Sequence, residues 1–100
     1  MALRIELWVD GEVTGGIEDW WDGVEAALAD CTESFPLLES ISPYGEWRVP
    51  HNRVAELGAE ARWLVDFAKS ARTVILLSRL ADLCAEAGSQ ADAEIWFSGD

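Results

Sequence analysis

The chain has 100 residues, room for a single domain with one modest hydrophobic core. Seven Lys and Arg against nineteen Asp and Glu give a formal net charge of −12, which speaks against direct binding to nucleic acid or to an anionic membrane surface, since both need clustered bases. Half of the residues are hydrophobic and six are Trp, so this is not a disordered acidic tail, a class poor in aromatics.

Residues 3–10 alternate. Leu3, Ile5, Leu7 and Val9 point one way and Arg4, Glu6, Trp8 and Asp10 the other, which predicts a half-buried strand. Gly11 and then Thr14-Gly15-Gly16 interrupt it. The same opening lacks the continuous apolar stretch of a secretory signal. No segment approaches the ~20 apolar residues of a membrane span, so a cytoplasmic location is expected.

Residues 17–30 carry Ile17, Trp20, Trp21, Val24, Ala27 and Leu28 at helical spacing, which predicts an amphipathic helix. Glu18, Asp19, Asp22 and Glu25 fall mostly on its other side, and Gly23 within it costs about 1 kcal/mol relative to Ala. Pro36 suits the first turn of a helix, so Leu37 and Leu38 follow it into a single helical turn with Ile41 on the same side. Ser42-Pro43-Tyr44-Gly45 fits a type I turn. Glu46-Trp47-Arg48-Val49 reads as a short strand ended by Pro50.

A second amphipathic helix is predicted over 53–69, capped by Asn52, with Val54, Leu57, Ala61, Leu64, Val65 and Ala68 as its apolar stripe. A third runs over 71–87 through Leu76, Leu80, Leu83 and Ala87 and closes at Gly88. Thr73 to Leu77 would also suit a strand, but the later spacing continues the helix. Residues 93–97 form a last short strand. The expected architecture is α+β: a single compact domain with a small sheet of two to three strands and about three helices on one face. It leaves room for the N- and C-terminal strands to pair.

Chemistry-bearing residues are sparse. His51 is the only histidine, and Cys31 and Cys84 are far apart in sequence with no metal-ligand spacing around them. The plain reading is two free thiols in a reducing compartment, with one disulfide left open. Carboxylate pairs such as Asp19 with Asp22 or Glu56 with Glu60 read as helix-surface neighbours. Gly15-Gly16 lacks the lysine of a phosphate loop. No catalytic residue, cofactor or metal is expected, and the chain is not read as an enzyme.

Charge placement carries more. Between Ile5 and Trp47 stand eleven acids and no Lys or Arg, whereas from Arg48 onward eight acids meet six bases. One reading is a solvated surface that keeps the protein soluble. The other, favoured here, is an electrostatic docking surface, because solubility needs net charge and not its segregation. The alternation of the terminal strands turns Trp8 and Trp96 away from the core, with Glu6 and Glu94 beside them and Trp47 joining from the middle strand. Such a set would form an aromatic anchor patch rimmed by acids, unless a loop covers that face. Trp20, Trp21 and Trp63 read as core or boundary residues of their helices.

Phe35-Pro36-Leu37-Leu38, Pro43-Tyr44-Gly45 and the ending Phe97-Ser98-Gly99-Asp100 together resemble a family of short, mostly actinobacterial proteins of unassigned function, which share a central FPLL…PYG stretch and a strand ending F-x-G-D. The resemblance implies a compact stand-alone domain in a bacterial cytoplasm and supplies no activity. The functional expectation is a small acidic inhibitor that docks on a basic protein surface, in the manner of an immunity protein, antitoxin or anti-defence inhibitor. Trp8, Trp47 and Trp96 would anchor, and Glu18, Asp19, Asp22 and Glu25 would steer. The alternative is a structural or adaptor protein, or a homodimer, that uses the Trp face.

Overall fold

The computed structural model describes residues 2–41 and 44–99. The chain runs β1 (Ala2–Val9), β2 (Glu12–Trp20), α1 (Asp22–Ala29), α2 (Pro36–Ser40), β3 (Glu46–Val49), α3 (Val54–Leu64), α4 (Ala71–Gly88) and β4 (Glu94–Gly99). Two short 3-10 turns, His51–Arg53 and Val65–Phe67, flank α3. The four strands form one antiparallel sheet in the order β2-β1-β4-β3. The class is α+β as expected. The sheet has four strands where two to three were predicted, and the terminal strands do pair, at its centre.

The extra strand comes from residues read as a break followed by a helix. Asp10 (φ 52°) and Gly11 (φ 79°) both occupy the left-handed region, and Val9 pairs with Glu12. This two-residue loop twists in the same sense as the strands it joins, which makes Asp-Gly a strong hairpin signal. The chain therefore doubles back on β1 instead of leaving it. A bulge between Leu7 and Trp8 in the pairing absorbs one residue of β2. Residues 17–20 are strand, not helix: Ile17 is buried against the core while Trp20, assigned above to the same helical stripe, is exposed. Only the later part of that prediction survives, as α1.

The helices lie on one face of the sheet. Leu3, Ile5, Leu7, Ile17, Val49, Ile95 and Phe97 join Val24, Ala27, Leu57, Leu64, Leu77 and Leu80 in one buried cluster. Trp21, at the turn from β2 into α1, is 1% exposed and meets Phe97 edge-on with centroids 6.0 Å apart. Side chains of this size contribute about 1.5–3 kcal/mol each on full burial. Close helix contacts need small residues: a Cβ on Gly23 would sit 2.0 Å from Thr73 Oγ1, and one on Gly58 would sit 3.0 Å from Cys84 Cβ. Residues 73–77 are helical within α4, whose first turn is capped by Ser70 Oγ accepting from Thr73 N–H at 3.2 Å.

Two local predictions need correction. Asn52 does not cap α3: it lies inside the 3-10 turn, where Arg53 N–H donates to Pro50 O at 2.9 Å, so a backbone bond replaces the side-chain cap. Glu60 is not a mere surface neighbour of Glu56. Its carboxylate accepts from the N–H groups of Leu37 (3.1 Å) and Leu38 (3.0 Å), so a residue of α3 caps the first turn of α2. The proposed 42–45 turn lies partly outside the described residues.

Candidate docking face

The second face of the sheet is covered by no helix. Opposed residues of antiparallel strands share a face, so the register writes this one out. Across β3, β4, β1 and β2, one row reads Glu46, Ser98, Arg4 and Glu18, and the next reads Arg48, Trp96, Glu6 and Gly16. A third row, from β4 to β2, reads Glu94, Trp8 and Val13. Trp20 continues the face beyond the first row, opposite Ala2.

At its centre Trp8 and Trp96 stack, with centroids 4.0 Å apart and planes inclined by 19°. They occupy diagonal positions on neighbouring strands, within reach for side chains of this length. The Arg48 guanidinium stands 3.8 Å from the Trp96 centroid. Because β1 and β3 flank β4, Trp96 is sandwiched between Trp8 and Arg48. Trp96 Nε1–H donates to Glu94 Oε1 at 2.9 Å, which orients the ring. Stacking and cation–π contacts of this kind are each worth about 0.5–1.5 kcal/mol, more when water is excluded. Both indoles remain half-buried. Four carboxylates on this face (Glu6, Glu18, Glu46 and Glu94) outweigh two guanidiniums (Arg4 and Arg48).

The predicted site residues divide. Trp8 and Trp96 face outward together, as the alternation required. Trp47 does not join them: it pairs with Phe97, its ring lies 6.2 Å from that core phenyl, and it packs on the buried cluster. Val49 is fully buried, and a strand alternates, so Trp47 shares the inner side and Arg48 takes the outer one. Counting back from Val49 would have found Arg48. Trp63 is an exposed boundary residue against Phe35, with centroids 6.4 Å apart, and Trp20 is exposed on the open face instead of packed in a helix.

The four steering acids do not share a surface. Glu18 lies on the open face, 3.2 Å from Arg4 Nη2. Asp19 points to the helix side, 2.7 Å from Arg72 Nη2. Asp22 and Glu25 are exposed on α1. Glu25 and Glu39 flank a shallow groove between α1 and α2 lined by Trp21, Leu28, Leu38 and Ile41. Lys69 reaches Asp30 in the same way that Arg72 reaches Asp19. Bases of the second half therefore fold onto acids of the first. The residues that sequence reasoning passed over on the open face are Arg48, Glu46 and Trp20.

The remaining reactive groups sit elsewhere. Both cysteines are free; burial pushes the Cys84 thiol up to about 12, against a smaller opposing pull from Arg62, which leaves it a poor nucleophile. His51 Nδ1 is 3.1 Å from Ala93 O. Among the described residues no three His, Cys, Asp or Glu side chains are grouped to hold a metal ion, and no helix is long and apolar enough to cross a membrane. No family model, curated protein or solved structure matches the chain, so the functional reading rests on the geometry of this face.

Proposed function

We propose that this chain is a small protein-binding inhibitor that docks on a basic protein surface through the open face of its sheet. One observation carries the reading: a stacked Trp pair sits in the middle of an acidic sheet face that none of the described helices covers. Trp rings at the centre of a patch with a charged rim are the usual anatomy of a binding hot spot. The sequence-based picture shifts in one respect. Trp96 and Trp8 anchor, Glu6, Glu46 and Glu94 give the local complement, and Asp22 and Glu25 on α1 act only through the long-range field. Asp19 is a structural ion pair. No catalytic role is assigned to any residue.

The test is capture from the native lysate, with washes at low and then high salt, using the wild-type chain beside two charge-reversed variants. Glu46→Lys sits on the docking face, and Glu25→Lys sits on α1. A single basic partner loosened by salt is expected, with Glu46→Lys costing about tenfold in capture and Glu25→Lys much less. Recovery of this chain alone, or of a partner indifferent to salt, would replace the reading with a homodimer or apolar adaptor.

A further inference from the structure

The two edges of the sheet differ. β3 is four residues long and ends at Pro50, which shortens and blunts that edge. β2 is nine residues long, contains no Pro or Lys, and exposes Val13 and Trp20. Natural sheets guard long edges against added strands; past its bulge, β2 from Gly16 onward is guarded by the charges of Glu18 and Asp19, which turn away acidic strands and not basic ones.

The hydrogen-bond pattern identifies which groups lie on the outer edge. Gly99 N–H donates to Gly45 O on the β3 side at 2.8 Å. In an antiparallel ladder each residue turns both backbone groups to the same neighbour, and successive residues alternate. Odd-numbered residues of β4 therefore bond toward β3 and even-numbered ones toward β1. By the register, Arg4 and Glu6 bond to β4, while Leu3, Ile5 and Leu7 bond to Asp19, Ile17 and Gly15 of β2. The backbone groups of Gly16, Glu18 and Trp20 are left on the outer edge. Trp20 N–H is closed by Asp19 Oδ1 at 2.8 Å, as suits an outward amide, which leaves Gly16 and Glu18.

Beside these groups lies a shallow trough of about 320 Å³ lined by Arg4, Glu6, Val13, Gly16 and Glu18. It exists because Gly16 has no side chain; a Cβ there would stand 3.2 Å from Ile5 O and 4.0 Å from Glu6 Cγ. A long side chain from a neighbouring strand can cross Gly16 and reach the Glu6 carboxylate directly opposite on β1. Two carboxylates against Arg4 leave the trough net negative.

We infer that the outer edge of β2 takes an extended basic segment of the protein partner as a fifth, antiparallel strand. The inference rests on the docking reading above and adds where and how the partner binds. Gly16 and Glu18 supply the backbone hydrogen bonds. One Lys or Arg of the segment lies over Gly16 toward Glu6 and Glu18, and apolar residues on the same side pack on Trp20 and Val13. This is strand addition, in which the backbone supplies affinity and alternate side chains supply specificity. A second copy of this chain is a poor occupant, since it would bring another −12 to the interface.

The experiment uses a capped peptide with Val, Arg and Val at successive every-second positions, which share one face, and Thr between them, and the same peptide N-methylated on every second amide, titrated into the whole chain at low ionic strength. Amide exchange is read by NMR. The unmethylated peptide is expected to bind and to slow exchange at Gly16 and Glu18, and methylation to weaken binding roughly tenfold or more by removing backbone bonds. Glu6→Gln, with an unchanged circular dichroism spectrum, is expected to weaken it several-fold. Equal affinity of the two peptides, or binding that shifts Trp8 and Trp96 while Gly16 and Glu18 exchange freely, would overturn the edge and leave docking on the open face standing. Absence of binding by both peptides would also overturn the edge, and the lysate capture then decides the docking reading separately.

Discussion

Asp19 shows how a residue that reads as surface charge becomes part of the framework. Partial burial pushes its carboxyl up, but the Arg72 guanidinium, the Trp20 N–H and the nearby Arg79 outweigh this and hold it below the ordinary carboxylate value. A carboxyl whose native pKa is depressed adds stability above its unfolded pKa, and that stability is lost as pH falls through the native value. Urea midpoints measured between pH 7 and pH 3 should therefore fall toward the acid end. Asp19→Asn should be less stable than wild type at pH 7, by no more than about 1 kcal/mol because Arg72 is exposed to solvent. The gap between the two curves should narrow as pH falls toward the acid end. A gap of unchanged size over the whole range would mean Asp19 acts through packing and not through charge.

At the scale of elements, the contact between α1 and α4 contradicts the usual rule for helical glycine. Gly→Ala in an exposed helix stabilises by about 1 kcal/mol. At Gly23 the added Cβ would fall 2.0 Å from Thr73 Oγ1, an atom that also hydrogen-bonds Ser70 Oγ at 2.9 Å. Gly23→Ala should therefore destabilise, by about 1–3 kcal/mol as overpacking usually does, and Thr73→Ala in the same chain should recover part of the loss in chemical denaturation. A stabilised single mutant would show that α1 can shift freely over α4. The same contact marks the limit of reading elements from the sequence. β1, β4, the Pro36 turn and α4 were legible because their apolar periods are carried by residues that face one core. β2 was not, because Ile17, Trp20, Trp21 and Val24 match helical spacing while Ile17 and Trp20 end up on opposite sides of a sheet. The competing signal, Asp10-Gly11, was present and outweighs that spacing, since it fixes where the chain turns. Of the site, Trp8 and Trp96 followed from alternation. The diagonal stack between them depends on the β1–β4 register, and Glu60 capping α2 spans 22 residues, so neither is written in any local pattern.

Over the whole molecule the segregated charge of the sequence is only partly undone by folding. Arg72 and Lys69 bring bases of the second half to Asp19 and Asp30 of the first. These pairs are few, the excess of twelve acids remains, and like charges held at molecular distances oppose the compact state. Raising sodium chloride from about 0.01 M to about 0.15 M shortens the screening length from ~30 Å to ~8 Å. The thermal midpoint should rise over that range, since repulsion among many acids is screened more than a handful of exposed ion pairs is weakened. A midpoint that falls would mean the ion pairs dominate, and that the acids are spaced more widely than their sequence suggests.

The strand order β2-β1-β4-β3 also sets a timetable for biosynthesis. β4, residues 94–99, is the piece that joins the β1–β2 hairpin to β3, and of the four strands of this sheet it is made last. Until it emerges from the ribosome, β1 has an open side along which its inner residues Leu3, Ile5 and Leu7 have only part of their cover, and Val49 has no neighbouring strand. The α3–α4 pair is local in sequence and free to assemble earlier, but the sheet closes in one late step. Closure of the sheet thus waits for residues 94–99, and until they are made the β1–β2 hairpin presents an unpaired strand edge and part of its hydrophobic face.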